Sequence, residues 1–67
     1  MATIITYKQA LEDIWNWEQD ANELCAWTFD EMQKELDDIF GYHVEAETVQ
    51  NYLDAAHDFG TELSDAE

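Results

Sequence analysis

From Tyr7 onward the apolar positions of the chain recur at helical spacing. Ala10, Leu11, Ile14, Trp15, Trp17, Ala21 and Leu24 follow one another in steps that suit a 3.6-residue period. Thr6 stands where an N-cap belongs and Gln9 occupies the N3 position of a capping box. The pattern predicts a first helix from Tyr7 to at least Asp20, reaching Cys25 on the longest reading. Thr28 opens a second capping signal, Thr28-Phe29-Asp30-Glu31, with Asp30 and Glu31 placed to favour the positive end of the helix dipole. Phe29, Met32, Leu36, Ile39 and Phe40 then form one apolar stripe, and Gly41 suits a left-handed C′ position. A third stripe, Val49, Tyr52, Leu53, Ala56 and Phe59, predicts a third helix. Val44, Glu45 and Ala46 offer it no strong cap, and Gly60 is its expected stop.

These stripes predict an all-α fold, a compact bundle of three amphipathic helices of about 14, 12 and 13 residues around one core. Met1 to Ile5 reads as a short extended arm packing on the helices, and residues 61–67 as a frayed acidic tail. No strand alternation follows residue 6, and the chain contains no proline and no internal repeat. Trp15 and Trp17 point about 200° apart on an ideal helix, so one of them is expected at the surface. Trp15 is the better candidate for an interface anchor, because it lies nearest Glu12, Asp13 and Glu18.

Length makes this a single domain spanning residues 1–67, near the size at which a chain folds without metal or disulfide help. Apolar residues make up 46% of it and include three Trp, three Tyr and three Phe, enough for a core and against disorder. Cys25 is alone, which excludes an internal disulfide and fits a reducing compartment; it is expected half-buried. There is no basic and apolar leader and no apolar run of the ~20 residues that cross a bilayer.

Charge changes the picture most. Seventeen Asp and Glu face only Lys8 and Lys34, a formal net charge of -15. That exceeds the magnitude of about 2 to 8 that suffices for solubility in a small domain. It argues against direct binding of DNA, RNA or an anionic membrane, each of which needs cations. It favours a basic partner. Setting aside the core stripes leaves Glu12, Asp13, Glu18, Asp20 and Glu23 on the first helix, and Asp30, Glu31, Glu35, Asp37 and Asp38 on the second. Glu45, Glu47, Asp54 and Asp58 remain on the third. With Trp15, these acids other than Glu45 are the candidate partner-binding residues. Fifteen duplex phosphates occupy roughly 26 Å of axis, and a 67-residue globule is about 28 Å across. Carboxylates one helical turn apart are about 5 to 6 Å from each other, judged at Cβ. A protein that grips duplex phosphates could grip such a surface.

Chemistry of other kinds finds no support. His43 and His57 lack Cys or His partners at zinc spacing and read as surface or helix-end residues. No acid triplet precedes a glycine as in an EF-hand loop, and no glycine-bearing phosphate loop exists. Cys25 has no base nearby in sequence and Ser64 lies in the tail. The expectation is a non-enzymatic protein with no metal and no cofactor. Between Phe29 and Leu53, Glu35-Leu36, Gly41, Val44 and Thr48 to Leu53 read somewhat like a helix-turn-helix, with a recognition helix from Ala46. Glu47 and Asp54 would then face phosphates, so the likeness is one of shape with inverted charge.

In length, charge, helical content and acid-aromatic interleaving, as in Glu12-Asp13-Ile14-Trp15-Asn16-Trp17-Glu18, the whole chain resembles small phage-encoded DNA-mimic proteins that block bacterial defence, of the anti-restriction and anti-CRISPR kinds. No diagnostic motif carries the likeness, so no site residue is transferred by it. The resemblance implies an inhibitor acting in the cytoplasm of an infected bacterium. There it would occlude the basic nucleic-acid site of a restriction enzyme or CRISPR-Cas complex. A homodimer would lengthen the charged track against its own repulsion. Two other readings stand beside it: an acidic adaptor that docks through an apolar helix face, and a halophile protein whose acids hold its hydration.

Overall fold

Two threonines, one aspartate and one glycine divide the chain in the computed structural model, which describes residues 4–17, 20–41 and 43–65. Helix α1 (Tyr7–Trp17) starts at Thr6, whose hydroxyl accepts from the Gln9 N–H at 3.3 Å. Gln9 does not close the expected capping box. Its side-chain amide donates forward to Asp13 Oδ1 at 3.0 Å, one turn along the helix surface.

The first helix is shorter than its apolar stripe predicts. Asp20 leaves helical backbone geometry and caps a separate helix, α2 (Ala21–Ala26), accepting from the N–H groups of Asn22 at 2.8 Å and Glu23 at 3.4 Å. A short carboxylate that accepts from free backbone donors begins the new helix. Helix α3 (Phe29–Phe40) follows its sequence signals residue for residue. The Thr28 hydroxyl accepts from the Glu31 N–H at 3.3 Å and lies 3.2 Å from Glu31 Oε1. Gly41 closes the helix at φ 79°, its N–H donating to the Asp37 carbonyl at 2.8 Å. No atom lies within 4 Å of where a Cβ would sit at Gly41, so the requirement for glycine is one of backbone angle alone.

Helix α4 (Ala46–Asp65) is the longest, 20 residues or about 30 Å. Its start has an apolar signal in place of a polar cap. Val49 N–H donates to the Glu45 carbonyl at 3.1 Å, which makes Glu45 the N-cap and puts Val44 and Val49 at the two positions of a hydrophobic staple. Both are fully buried. Gly60 does not stop the helix; it is buried within it, and residues 61–65, expected to fray, continue it to Asp65. Residues 66–67 of the expected tail lie outside the described residues.

The bundle is therefore all-α, with four helices where the stripes predict three and no strand among the described residues. Each of α1, α2 and α3 packs on α4, and among the described residues no other pair of helices brings its backbones close together. The core gathers Ala10 and Ile14 of α1, Leu24 of α2, Met32 and Leu36 of α3, and Val49, Tyr52, Leu53, Ala55, Ala56 and Phe59 of α4. Burying each of the larger aliphatic side chains contributes about 1.5–3 kcal/mol. Ile39 departs from its stripe and is 49% exposed, because it lies on the side of α3 turned away from α4. Ala55 and Val44 join the core without having been on any predicted stripe. Cys25, expected half-buried, is exposed, with its thiol 3.9 Å from the His57 carbonyl.

Residues 4 and 5 of the arm do pack on α4. Ile5 N–H donates to Thr48 Oγ1 at 2.9 Å, and the Ile5 carbonyl accepts from the Asn51 side-chain amide at 2.5 Å. The radius of gyration is 11.3 Å, but the extents are 41 × 20 × 16 Å, so the molecule is longer and narrower than a 28 Å globule. Helix α4 begins at Ala46, as a recognition helix would. Yet Thr48, Val49, Tyr52 and Leu53 are buried under its neighbours, and its outward stripe is Glu47, Gln50, Asp54, Asp58 and Glu62. No helix is long and apolar enough to cross a membrane among the described residues.

Candidate functional site

The backbones of α2 and α3 each pack closely on α4 and not on one another, and a groove of about 310 Å³ opens between them. Glu23 of α2 and Glu31, Lys34, Glu35 and Asp38 of α3 line it together with Trp27, the residue that joins the two helices. On α3 the lining residues recur at three- and four-residue steps, which places them on one helix face. Four of the acids expected to meet a partner are thereby brought together. Trp27 and Lys34 were not among the expected contacts. The signal for Trp27 lay in its place just before a Thr28 cap, where a large apolar residue ends up between two helices.

Trp27 is firmly held. Its carbonyl accepts from His57 Nε2 at 3.0 Å, from the middle of α4. Its ring lies 6.4 Å from that of Trp17, and Trp17 in turn stacks on Tyr52 at 5.8 Å and an interplanar angle of 21°. His57, expected at a surface or helix end, is half-buried at this helix junction instead. Glu31 is tied to the Thr28 cap, whereas the side chains of Glu23, Glu35 and Asp38 have no hydrogen-bond or ionic partner among the described residues. No ion pair involves Lys34 among them either.

The remaining expected contacts are spread elsewhere. Asp13 is half-buried and accepts from the Tyr52 hydroxyl as well as from Gln9. Asp58 accepts from the Tyr7 hydroxyl, and Asp54 from the Gln50 amide at 2.8 Å. Asp20 is a helix cap. Glu12, Asp30 and Glu47 are exposed. Asp37 is half-buried, with Oδ1 lacking a hydrogen bond among the described residues. Glu18 lies outside the described residues. Trp15 is 46% exposed, rests its ring on Phe59 at a centroid distance of 4.6 Å, and does not line the groove.

The internal bonds leave a mark on the tyrosines. The hydrogen bond to Asp58 chiefly, then burial and the charges of Asp58, Asp54 and Glu62, push Tyr7 up to about 12 from 10.0. Burial first, and then the bond to Asp13, raise Tyr52 as well.

Charge placement runs against helix stability. Asp37 and Asp38 occupy the last turn of α3, where a carboxylate opposes the dipole, and none of the four helices has a basic residue in its last turn. Spread along the 41 Å long axis, fifteen net charges average one per about 2.7 Å. That falls between the spacing of about 1.7 Å for a duplex and about 3.4 Å for one strand. Among the described residues no group of three or more His, Cys, Asp or Glu is arranged to hold a metal ion. Comparison with protein-family models, with curated proteins and with solved structures found no match.

Proposed function

We propose that this protein is a non-enzymatic inhibitor that imitates the charge of a nucleic acid and occludes a basic nucleic-acid-binding site on another protein. The observation that carries the proposal is a net charge of -15 on a narrow body 41 Å long, which averages to one charge per about 2.7 Å of axis, within the range of nucleic-acid phosphates. Carboxylates in the last turn of α3 and like charges four apart, Glu31 with Glu35 and Asp54 with Asp58, each oppose helix formation by a few tenths of a kcal/mol or more. A surface arranged for stability would intersperse lysines there. By its likeness to phage DNA mimics, the target is a bacterial defence protein such as a CRISPR-Cas complex or a restriction enzyme, met in the cytoplasm of an infected cell.

The test is a pull-down from bacterial lysate on the immobilised protein, eluted with a salt gradient and identified by mass spectrometry. Nucleic-acid-binding proteins leaving at moderate salt are expected, with their nucleic-acid affinity reduced by the free protein. A partner whose nucleic-acid affinity is untouched, or whose binding is indifferent to salt, counts against the proposal. The exposure of Trp15 and Ile39 favours one other reading, an adaptor that docks by apolar contact. In that case Trp15→Ala abolishes capture while neutralising several acids scarcely changes it.

A further inference from the structure

We propose that the outer face of α3, with the groove it forms against α2, is the docking surface for a protein partner that inserts an arginine side chain beside Trp27; this deepens the proposed function and rests on it. Shape comes first: among the described residues the backbone of α3 packs closely on α4 alone, and the side of α3 bearing Glu31, Lys34, Glu35 and Asp38 faces a groove. Ile39 extends that face one turn beyond Glu35 and is 49% exposed, the apolar neighbour a protein partner could cover. Charge selects the occupant. Four carboxylates surround the groove against one ammonium group, and three of the four are unpartnered among the described residues.

The indole narrows the choice further. A planar guanidinium can stack on an aromatic face while its N–H groups reach carboxylates in pairs, whereas an ammonium group is a strongly hydrated point charge. The backbone of Trp27 is held by His57 on its carbonyl and its ring has Trp17 beside it at 6.4 Å, which lowers the ordering needed on binding. A divalent cation fits less well, since the described carboxylates do not converge at metal-ligand spacing.

The experiment titrates the full chain with nona-arginine and, separately, with nona-lysine, following the indole N–H resonances of Trp27 and Trp15 by heteronuclear NMR. Nona-arginine is expected to move the Trp27 resonance and leave that of Trp15 in place, and to bind at least about fivefold more tightly than nona-lysine. The triple variant Glu31→Gln, Glu35→Gln, Asp38→Asn should weaken nona-arginine about tenfold or more. The triple variant Glu12→Gln, Glu47→Gln, Glu62→Gln removes equal charge elsewhere and should weaken it by less than about threefold. Circular dichroism should show both triple variants folded, since every residue changed is exposed. Equal weakening by the two triple variants, equal movement of Trp15 and Trp27, or equal binding of the two peptides would overturn the proposal. So would a magnesium titration that shifts Trp27 and blocks the peptide. These outcomes concern where and how a cation is read, and are distinct from whether the protein displaces nucleic acid from its partner.

Discussion

Along α1 and α4 three aspartates are hydrogen-bonded to other side chains, Asp13 to Tyr52 and Gln9, Asp58 to Tyr7 and Asp54 to Gln50, while the glutamates Glu12, Glu47 and Glu62 are exposed. Across the α2–α3 groove, Glu23, Glu35 and Asp38 have no such partners among the described residues. Three aspartates of the first flank are thus held by hydrogen bonds, while three of the four groove carboxylates are unpartnered among the described residues. A buried donor left without its acceptor costs about 1–3 kcal/mol, whereas an exposed carboxylate contributes little to stability and is free to meet a cation. Net charge alone does not distinguish the two flanks; the hydrogen bonds do.

The largest effects lie beneath both regions. Leu24→Ala and Leu36→Ala each remove a fully buried side chain from the contact of α2 or α3 with α4. Each should lower the unfolding free energy by about 2–5 kcal/mol in urea denaturation, a large share of what a domain of this size has. Equal losses would show both helices to depend on α4 alike; a loss under 1 kcal/mol at Leu24 would mean that α2 is not part of the cooperative core.

Next comes the bonded flank. Asp13→Ala strands the Tyr52 hydroxyl and should cost about 1–3 kcal/mol, with the loss in the Asp13→Ala, Tyr52→Phe pair smaller than the sum of the single losses. Additive losses would deny the bond. Alkali probes the same flank. Neutral Tyr7 contributes its full stabilisation below its ordinary pKa of 10.0, and that contribution is lost as pH rises toward about 12, because the unfolded chain ionises first. The share of phenolate absorbance that belongs to Tyr7 and Tyr52 should therefore rise late, in step with loss of helical signal. A Tyr7 that ionised at 10 in a folded protein would contradict the Asp58 bond.

The smallest effects belong to the open flank. Glu35→Gln and Asp38→Asn should change stability by no more than about 0.5 kcal/mol, and Asp38→Asn should shift it upward by relieving the C-terminal dipole of α3. A loss above 1 kcal/mol at either position would move that residue to the structural class and erase the contrast.

How far the sequence discloses these features depends on the kind of signal. Helix α3 is legible from end to end because Thr28 and Gly41 act locally, through one side-chain acceptor and one left-handed backbone angle. The break at Asp20 is not, because the apolar stripe continues across it to Leu24. Only the spacing Asp20-x-x-Glu23, itself of capping type, marks the new start. Gly60 misleads in the other direction: glycine in a helix interior costs about 1 kcal/mol against alanine, but burial against neighbours can carry that cost. The start of α4 is set by Val44 and Val49, two apolar residues that a search for polar caps passes over. The groove was hidden for the same reason as α2. With a single long first helix in view, nothing places Glu23 beside Glu35 or sets Trp27 between them. The acids themselves are evident from composition, but which of them are occupied by Tyr7, Tyr52 and Gln50 is decided by contacts 4 to 51 residues apart in sequence.

The central claim is competition with nucleic acid, and the most direct measurement of it is displacement of a labelled DNA duplex from the captured partner across a salt series. Saturating protein should release the duplex at 50 mM NaCl, and the protein's affinity for the partner should fall at least about tenfold by 200 mM. A ternary complex that retains the duplex, or an affinity unchanged across that salt range, would contradict it.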